Sequence, residues 1–212
     1  EPYVLNDKLS YIAAEVMAYF VEHCKATNGV STVERCLLHM DCTIMDFDSI
    51  LSLLRQNSMY SALCYVFNQG LDDYVTPLEI LLEEVFDGAD TGTAMLLRRR
   101  GQKTQNDFVR YGYKALLYLQ TCIRGKSFPK EEPISPEGRQ TSVKPELLNF
   151  LMQEEYKTSS HARRKAGTLT VVGQREQPFP YTRILLQVDA PLMFEILSEC
   201  LDSTDSATYE PD

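Results

Sequence analysis

Wherever apolar residues are periodic in this chain, they recur at steps of three and four. Leu9, Ile12, Ala13, Val16, Phe20 and Cys24 follow that spacing, which lines one face of a helix turning every 3.6 residues. The stripe predicts a helix from about Asn6 to Ala26, ended by Asn28-Gly29. Thr168-Leu169-Thr170-Val171-Val172 is the one β-branched run, and there a short edge strand is the alternative to a loop. A chain patterned in this way buries its apolar surface helix against helix, so the expected class is all-α.

Start and stop signals divide the pattern into short helices. Ser31 and Glu34 have capping-box spacing ahead of Val33, Cys36, Leu37 and Met40. Asp46 is placed to cap a helix with Phe47, Ile50, Leu51 and Leu54 inward, broken at Gln56-Asn57-Ser58. Tyr60, Leu63, Cys64 and Phe67 follow, closed by Gly70, which is expected to take the left-handed conformation of a helix end. These two helices read as a hairpin. Thr76-Pro77-Leu78-Glu79 combines a capping Thr, a Pro where no N–H is needed and a capping-box Glu, opening a helix with Leu78, Leu81, Leu82, Val85 and Phe86 on one side.

The period then lapses from about Asp87 to Asp107, where glycines flank Arg98-Arg99-Arg100, and a loop is expected with a short helical turn at Ala94 to Leu97. Helix resumes from Phe108 to Ile123 and stops at Gly125. Phe128 to Lys144, with Pro129, Pro133 and Pro136, reads as a linker, and Pro145 as the start of a helix to about Tyr156. Thr158 to Gly173 is polar and basic apart from its β-branched run. Tyr181 to Val188 and a helix capped by Asp189, with Leu192, Met193, Ile196, Leu197, Cys200 and Leu201, complete the pattern. Helix following helix through short connections, with two long insertions, fits an α-solenoid of stacked hairpins better than a compact bundle. The expected organisation is one solenoid segment over 1–202, with loops at about 87–107, 126–144 and 158–178 and an acidic, disordered tail over 203–212.

Charge limits the partners. Lys and Arg number 21 against 30 Asp and Glu, a net of −9, and phosphate backbones are bound by releasing counterions through Lys and Arg, so nucleic acid is disfavoured. Anionic membranes and acidic proteins are disfavoured as partners of the whole surface for the same reason. No apolar run approaches the roughly 18 residues of a membrane span. Glu1-Pro2-Tyr3 has neither an initiator Met nor a signal-peptide layout, so the chain reads as cut from a longer protein. Six cysteines spread over the length fit reduced thiols in the cytosol.

Residues with chemical potential are few. Cys36-x-x-His39-x-x-Cys42, with His23-Cys24 upstream, is the best metal-like spacing. A structural zinc site needs four ligands, commonly in two pairs, and no second pair exists; small thiols buried on a helix explain the same residues. A nucleophile would need one of His23, His39 and His161 as its base. No GxSxG, P-loop or GxGxxG motif is present. The acidic pairs Asp72-Asp73, Glu83-Glu84, Glu131-Glu132 and Glu154-Glu155 read as solvated helix surface. The basic runs Arg98-Arg99-Arg100 and Arg163-Arg164-Lys165 read as solvated loops, with an acidic-partner or lipid-facing patch as the alternative. Tyr181-Thr182-Arg183-Ile184 matches a tyrosine sorting pattern, but Tyr181 reads better as the opening of a helix. No catalytic, cofactor or metal residue is assigned.

Three stretches carry a resemblance: Met59 to Glu79, Lys114 to Pro129 and Phe179 to Ser198. In this order they are similar to the central helical region of the vacuolar protein sorting-associated protein 8 family, a subunit of the CORVET endosomal tethering complex. The first is the most specific, and the residues that express it are Tyr60, Leu63, Phe67, Asn68, Gly70, Tyr74, Thr76 and Pro77. The loops at 87–107 and 129–144 have no counterpart. The resemblance implies a non-enzymatic scaffold in endosome and vacuole trafficking. The implied partners are the core subunits of the complex and an early-endosomal Rab GTPase, with peripheral membrane association through the complex from the cytoplasm. A solenoid of the related HOPS-type tether or of a clathrin-like coat is the nearest alternative. An all-α metal-binding or enzymatic domain using Cys36, His39 and Cys42 is the alternative of another class.

Overall fold

The computed structural model describes residues 2–6, 11–27, 29–41, 46–93, 105–156 and 177–201. They are predominantly helical. The helices are α1 (Pro2–Leu5), α2 (Ala14–Ala26), α3 (Val30–Leu37), α4 (Phe47–Gln56), α5 (Tyr60–Gly70), α6 (Val75–Thr93), α7 (Gln105–Ile123), α8 (Glu137–Leu151), α9 (Pro180–Val188) and α10 (Ala190–Leu201). Between α7 and α8, β1 (Lys126–Ser127) pairs with β2 (Glu132–Pro133). The chain forms two compact units, Glu1–Tyr74 with Ser127–Glu132, and Val75–Lys126 with Pro133–Asp212.

In the first unit α2 packs on α3 and α4, and α3 on α5. The expected hairpin is α4 against α5. Phe47 at the head of α4 meets Phe67 near the end of α5 edge to face, with centroids 5.5 Å apart, so the two helices run antiparallel. Val33, Leu37, Leu54, Leu63 and Phe67 form its buried centre. The start of α2 differs from expectation. Residues 11–13 are non-helical and the helix begins at Ala14. Its inward residues are Met17, Val21 and Cys24, while Val16 is exposed. A second set of apolar residues, spaced equally well, competes with the expected stripe, and tertiary packing decides between them.

Gly70 also differs. It is the last residue of α5, and the left-handed residue is Asp72, at φ 52°. The chain turns because the N–H groups of Leu71 and Asp73 both donate to the Phe67 carbonyl, and Asp tolerates the left-handed region better than most side chains. Ser31 lies inside α3, and Gly29 holds the N-cap position, so the expected capping box is not formed.

In the second unit α7 is the hub, packed against α6, α8, α9 and α10. The expected loop at 87–107 is shorter, because α6 runs to Thr93 and α7 starts at Gln105. Gly88, one of the glycines of that expected loop, is buried in α6 where a Cβ would lie 3.0 Å from the Phe108 backbone. It lets the two helices approach closely, as a helical glycine does when kept for packing. The expected linker at 126–144 is also replaced. It holds the β1–β2 ladder and the first two turns of α8, with Pro136 as N-cap and Pro145 inside the helix instead of at its start. Proline costs a helix one backbone hydrogen bond. Here Arg139 reaches across it to an ion pair with Glu146, two turns on. That helix ends at Leu151 instead of Tyr156. Gly125 does end α7, at φ +73°.

The turn expected at 94–97, the basic runs, His161, the stretch at 168–172 and the tail lie outside the described residues.

Candidate interaction surfaces

The resemblance residues lie where helices join. Tyr60, Leu63 and Phe67 are buried on α5, and Asn68 is a buried polar side chain beside them. Tyr74 is buried just before α6, Thr76 is half-buried, and Pro77 is buried in the first turn of α6, which starts at Val75, two residues earlier than its Thr-Pro signal implied, so that Thr76 lies inside the helix instead of capping it. Glu34 serves this region instead of its own helix. Its Oε1 accepts the Ser61 N–H at 3.2 Å, satisfying a free donor in the first turn of α5, where Met59 supplies no side-chain cap. A carboxylate there also favours the positive end of the helix dipole.

Residues weighed for chemistry are dispersed. Cys36 is buried on α3 and His39 is exposed after it, while Cys42 lies outside the described residues. His23 is exposed on α2. Among the described residues no three of His, Cys, Asp and Glu gather as metal ligands. Cys24, Cys36, Cys64, Cys122 and Cys200 are buried. Burial pushes the Cys200 thiol up, away from the thiolate that reacts or binds metal.

A polar seam joins α7 and α10, which run parallel. The Tyr113 hydroxyl donates to Asp189 Oδ2 at 2.9 Å, Gln120 Nε2 to Glu195 Oε1 at 3.2 Å, and Arg124 Nε to Glu199 Oε2 at 2.9 Å. Arg124 Nη2 adds contacts to Glu199 Oε1 at 2.5 Å and Glu195 Oε1 at 3.3 Å. Its guanidinium thus forms a two-pronged pair with Glu199, the geometry in which arginine binds carboxylate best. That hydrogen bond holds the Glu199 carboxyl below its ordinary range and raises Arg124. Lys144 Nζ donates to the Glu199 carbonyl at 2.8 Å. Asp189 is the expected cap, because its Oδ1 accepts the Leu192 N–H at 3.0 Å. Its bond to Tyr113 raises the pKa of that phenol.

The partners of Arg124 are 71 and 75 residues away in the chain and carry no local motif. The available signal was weak: polar residues recur at steps of seven and four at 113, 120 and 124 and at steps of six and four at 189, 195 and 199. Beside this seam α7 exposes Val109, Tyr113 and Leu117 at four-residue steps, and α10 exposes Phe194. No helix among the described residues is long and apolar enough to cross a membrane.

The family model described as "Vps8 central TPR" matches residues 1–201. The mouse vacuolar protein sorting-associated protein 8 homolog is 26% identical over 198 residues, 93% of this chain and 12% of the relative. The Drosophila melanogaster homolog is 26% identical over 188 residues, 88% of this chain and 12% of the relative. The Saccharomyces cerevisiae protein is 19% identical over 202 residues, 95% of this chain and 15% of the relative. The chain therefore spans a small part of the length of the curated relatives it matches. No solved structure matches it.

Proposed function

Since the chain belongs to the Vps8 central TPR family, a helical solenoid class, we propose that it is a scaffold segment of an endosomal vesicle-tethering subunit, working by protein–protein contact without catalysis. Residues 1–202 act as the solenoid segment and 203–212 as an acidic tail. Its partners are the core subunits of a CORVET-type complex, with an early-endosomal Rab GTPase as a further contact. Membrane association is peripheral, on the cytoplasmic face of endosomes, and runs through the complex.

The carrying observation is the burial of the motif. Tyr60, Leu63, Phe67, Asn68 and Tyr74 face inward, so the residues that express the resemblance set helix pairing and leave outer faces for partners. Gly70, Thr76 and Pro77 end one helix and start the next, an architectural role. Exposed apolar side chains grouped on one face, as at Val109, Tyr113 and Leu117, suit contact with protein.

Deleting residues 1–201 from the full-length subunit and purifying the complex tests the proposal. Loss of one or more core subunits is expected, and recovery of all of them in normal ratio would overturn an assembly role. Pull-down with the GTP-loaded Rab then separates assembly from Rab contact.

A further inference from the structure

The first unit contains a cleft of about 330 Å³ between α2 and α4. Ile12, Ala18, Ile50 and Leu53 make its apolar walls, and Glu15 and Asp46 contribute two exposed carboxylates. Among the described residues, no Lys or Arg lines it. Asp46 accepts the Ser49 hydroxyl at 2.6 Å, which holds its carboxyl below the ordinary range and keeps it charged near neutral pH. Tyr11 and Tyr19 stand four residues to either side of Glu15, both exposed. An apolar trough between two helices, with acids at its edge and aromatics beside it, has the layout of a helix-binding groove.

We propose that this cleft docks an amphipathic helical segment of a partner protein, with an apolar side chain entering between α2 and α4 and a Lys or Arg one turn away meeting Glu15 and Asp46. The inference rests on the protein-contact reading above and specifies the chemistry of one partner surface. Charge complementarity selects the occupant. An acidic or neutral helix would fill the apolar trough equally well but would leave both carboxylates unpaired or repelled. The volume admits one or two large side chains, which suits anchor residues better than a whole cofactor.

The test uses the full-length subunit and two designed peptides. Both carry Leu at i, i+3, i+4 and i+7; one has Arg at the flanking positions and the other Glu. Fluorescence anisotropy should show binding of the Arg peptide, weakening with salt, and none of the Glu peptide. Combining Glu15→Gln with Asp46→Asn should weaken Arg-peptide binding about fivefold, since two exposed ion pairs are lost. Asn at this position can still accept the Ser49 hydroxyl, so the fold is kept, and a circular dichroism melt checks it. Ala18→Phe fills the trough and should abolish binding.

Equal binding of both peptides, no binding of either, or indifference to the charge-neutralising pair would overturn the proposal. The two readings fail separately. A complex that tolerates the Glu15 and Asp46 variants but loses subunits on deletion of 1–201 sinks the cleft alone. A complex that tolerates the deletion sinks the scaffold reading, whatever the peptides do.

Discussion

Replacing Gly112 by Ala sets two effects against each other. Gly112 is buried in α7, and a Cβ there would lie 2.4 Å from Val188 Cγ2 and 2.7 Å from Cγ1 at the end of α9. Helix propensity alone favours Ala over Gly by about 1 kcal/mol. Overpacking a close contact costs about 1–3 kcal/mol. The clash is with both methyls of a β-branched side chain that has few rotamers to escape into, so the upper half of that range applies. The net expectation is destabilisation by about 1–2 kcal/mol, against the sign that propensity gives. With Val188→Ala in the background the methyls are gone, and the same Gly112→Ala change should stabilise by about 1 kcal/mol. Urea unfolding of the four variants, followed by far-UV circular dichroism, gives the coupling, expected at about 2–3 kcal/mol. Stabilisation by Gly112→Ala with Val188 intact, or additivity within about 0.5 kcal/mol, would refute the close approach of α7 and α9.

Three further outcomes are expected. Asp189→Ala removes both the cap of α10 and the Tyr113 contact and should cost about 1–2 kcal/mol, whereas Asp189→Asn keeps a capping oxygen and should recover most of it; chemical unfolding measures both. Arg124→Met should lower stability near neutral pH by at most about 1 kcal/mol, because the pair is largely exposed. Glu199 has a depressed folded pKa, so this contribution is complete above its ordinary value near 4.5 and is lost as pH falls through the lower folded value; the stability curves of the two proteins should therefore converge in acid. Asp72→Val should cost about 1–2 kcal/mol, since a β-branched residue must then hold φ 52°, and Asp72→Gly should cost less than half of that by thermal melt.

Where local spacing and tertiary packing agree, the fold is legible in the sequence. The stripes of α3, α4 and α5, the Gly125 stop and the Asp189 cap are examples, because each depends on neighbours within one or two turns. Failures occur where a distant contact outweighs a local signal. Gly88 reads as part of a loop, yet in the structure it is the point where α6 meets the backbone of Phe108. Pro129, Pro133 and Pro136 read as a linker, but Pro133 lies in β2 and Pro136 serves as an N-cap, and Pro145, which reads as a helix start, is tolerated inside α8 beside the Arg139–Glu146 pair. Glu34 has the spacing to cap its own helix and instead caps α5, 27 residues away. The α2–α4 cleft has no sequence signal, because its walls come from α2, the non-helical residues just before it and α4, whose spacings are unrelated.

Charge acquires a location through these contacts. Among the described cations, Lys25 faces Glu22, Arg124 faces Glu195 and Glu199, Lys130 lies near Glu132 and over the Tyr65 ring, and Arg139 holds Glu146. These positive groups are engaged in holding elements of the fold, whereas Glu15 and Asp46 stand exposed in an apolar trough. The net of −9 therefore matters less as a total than through which carboxylates a partner can reach. A protein partner of the α2–α4 edge gains by bringing its own cations, and its association rate should fall with salt more steeply than that of a partner docking on Val109, Tyr113 and Leu117.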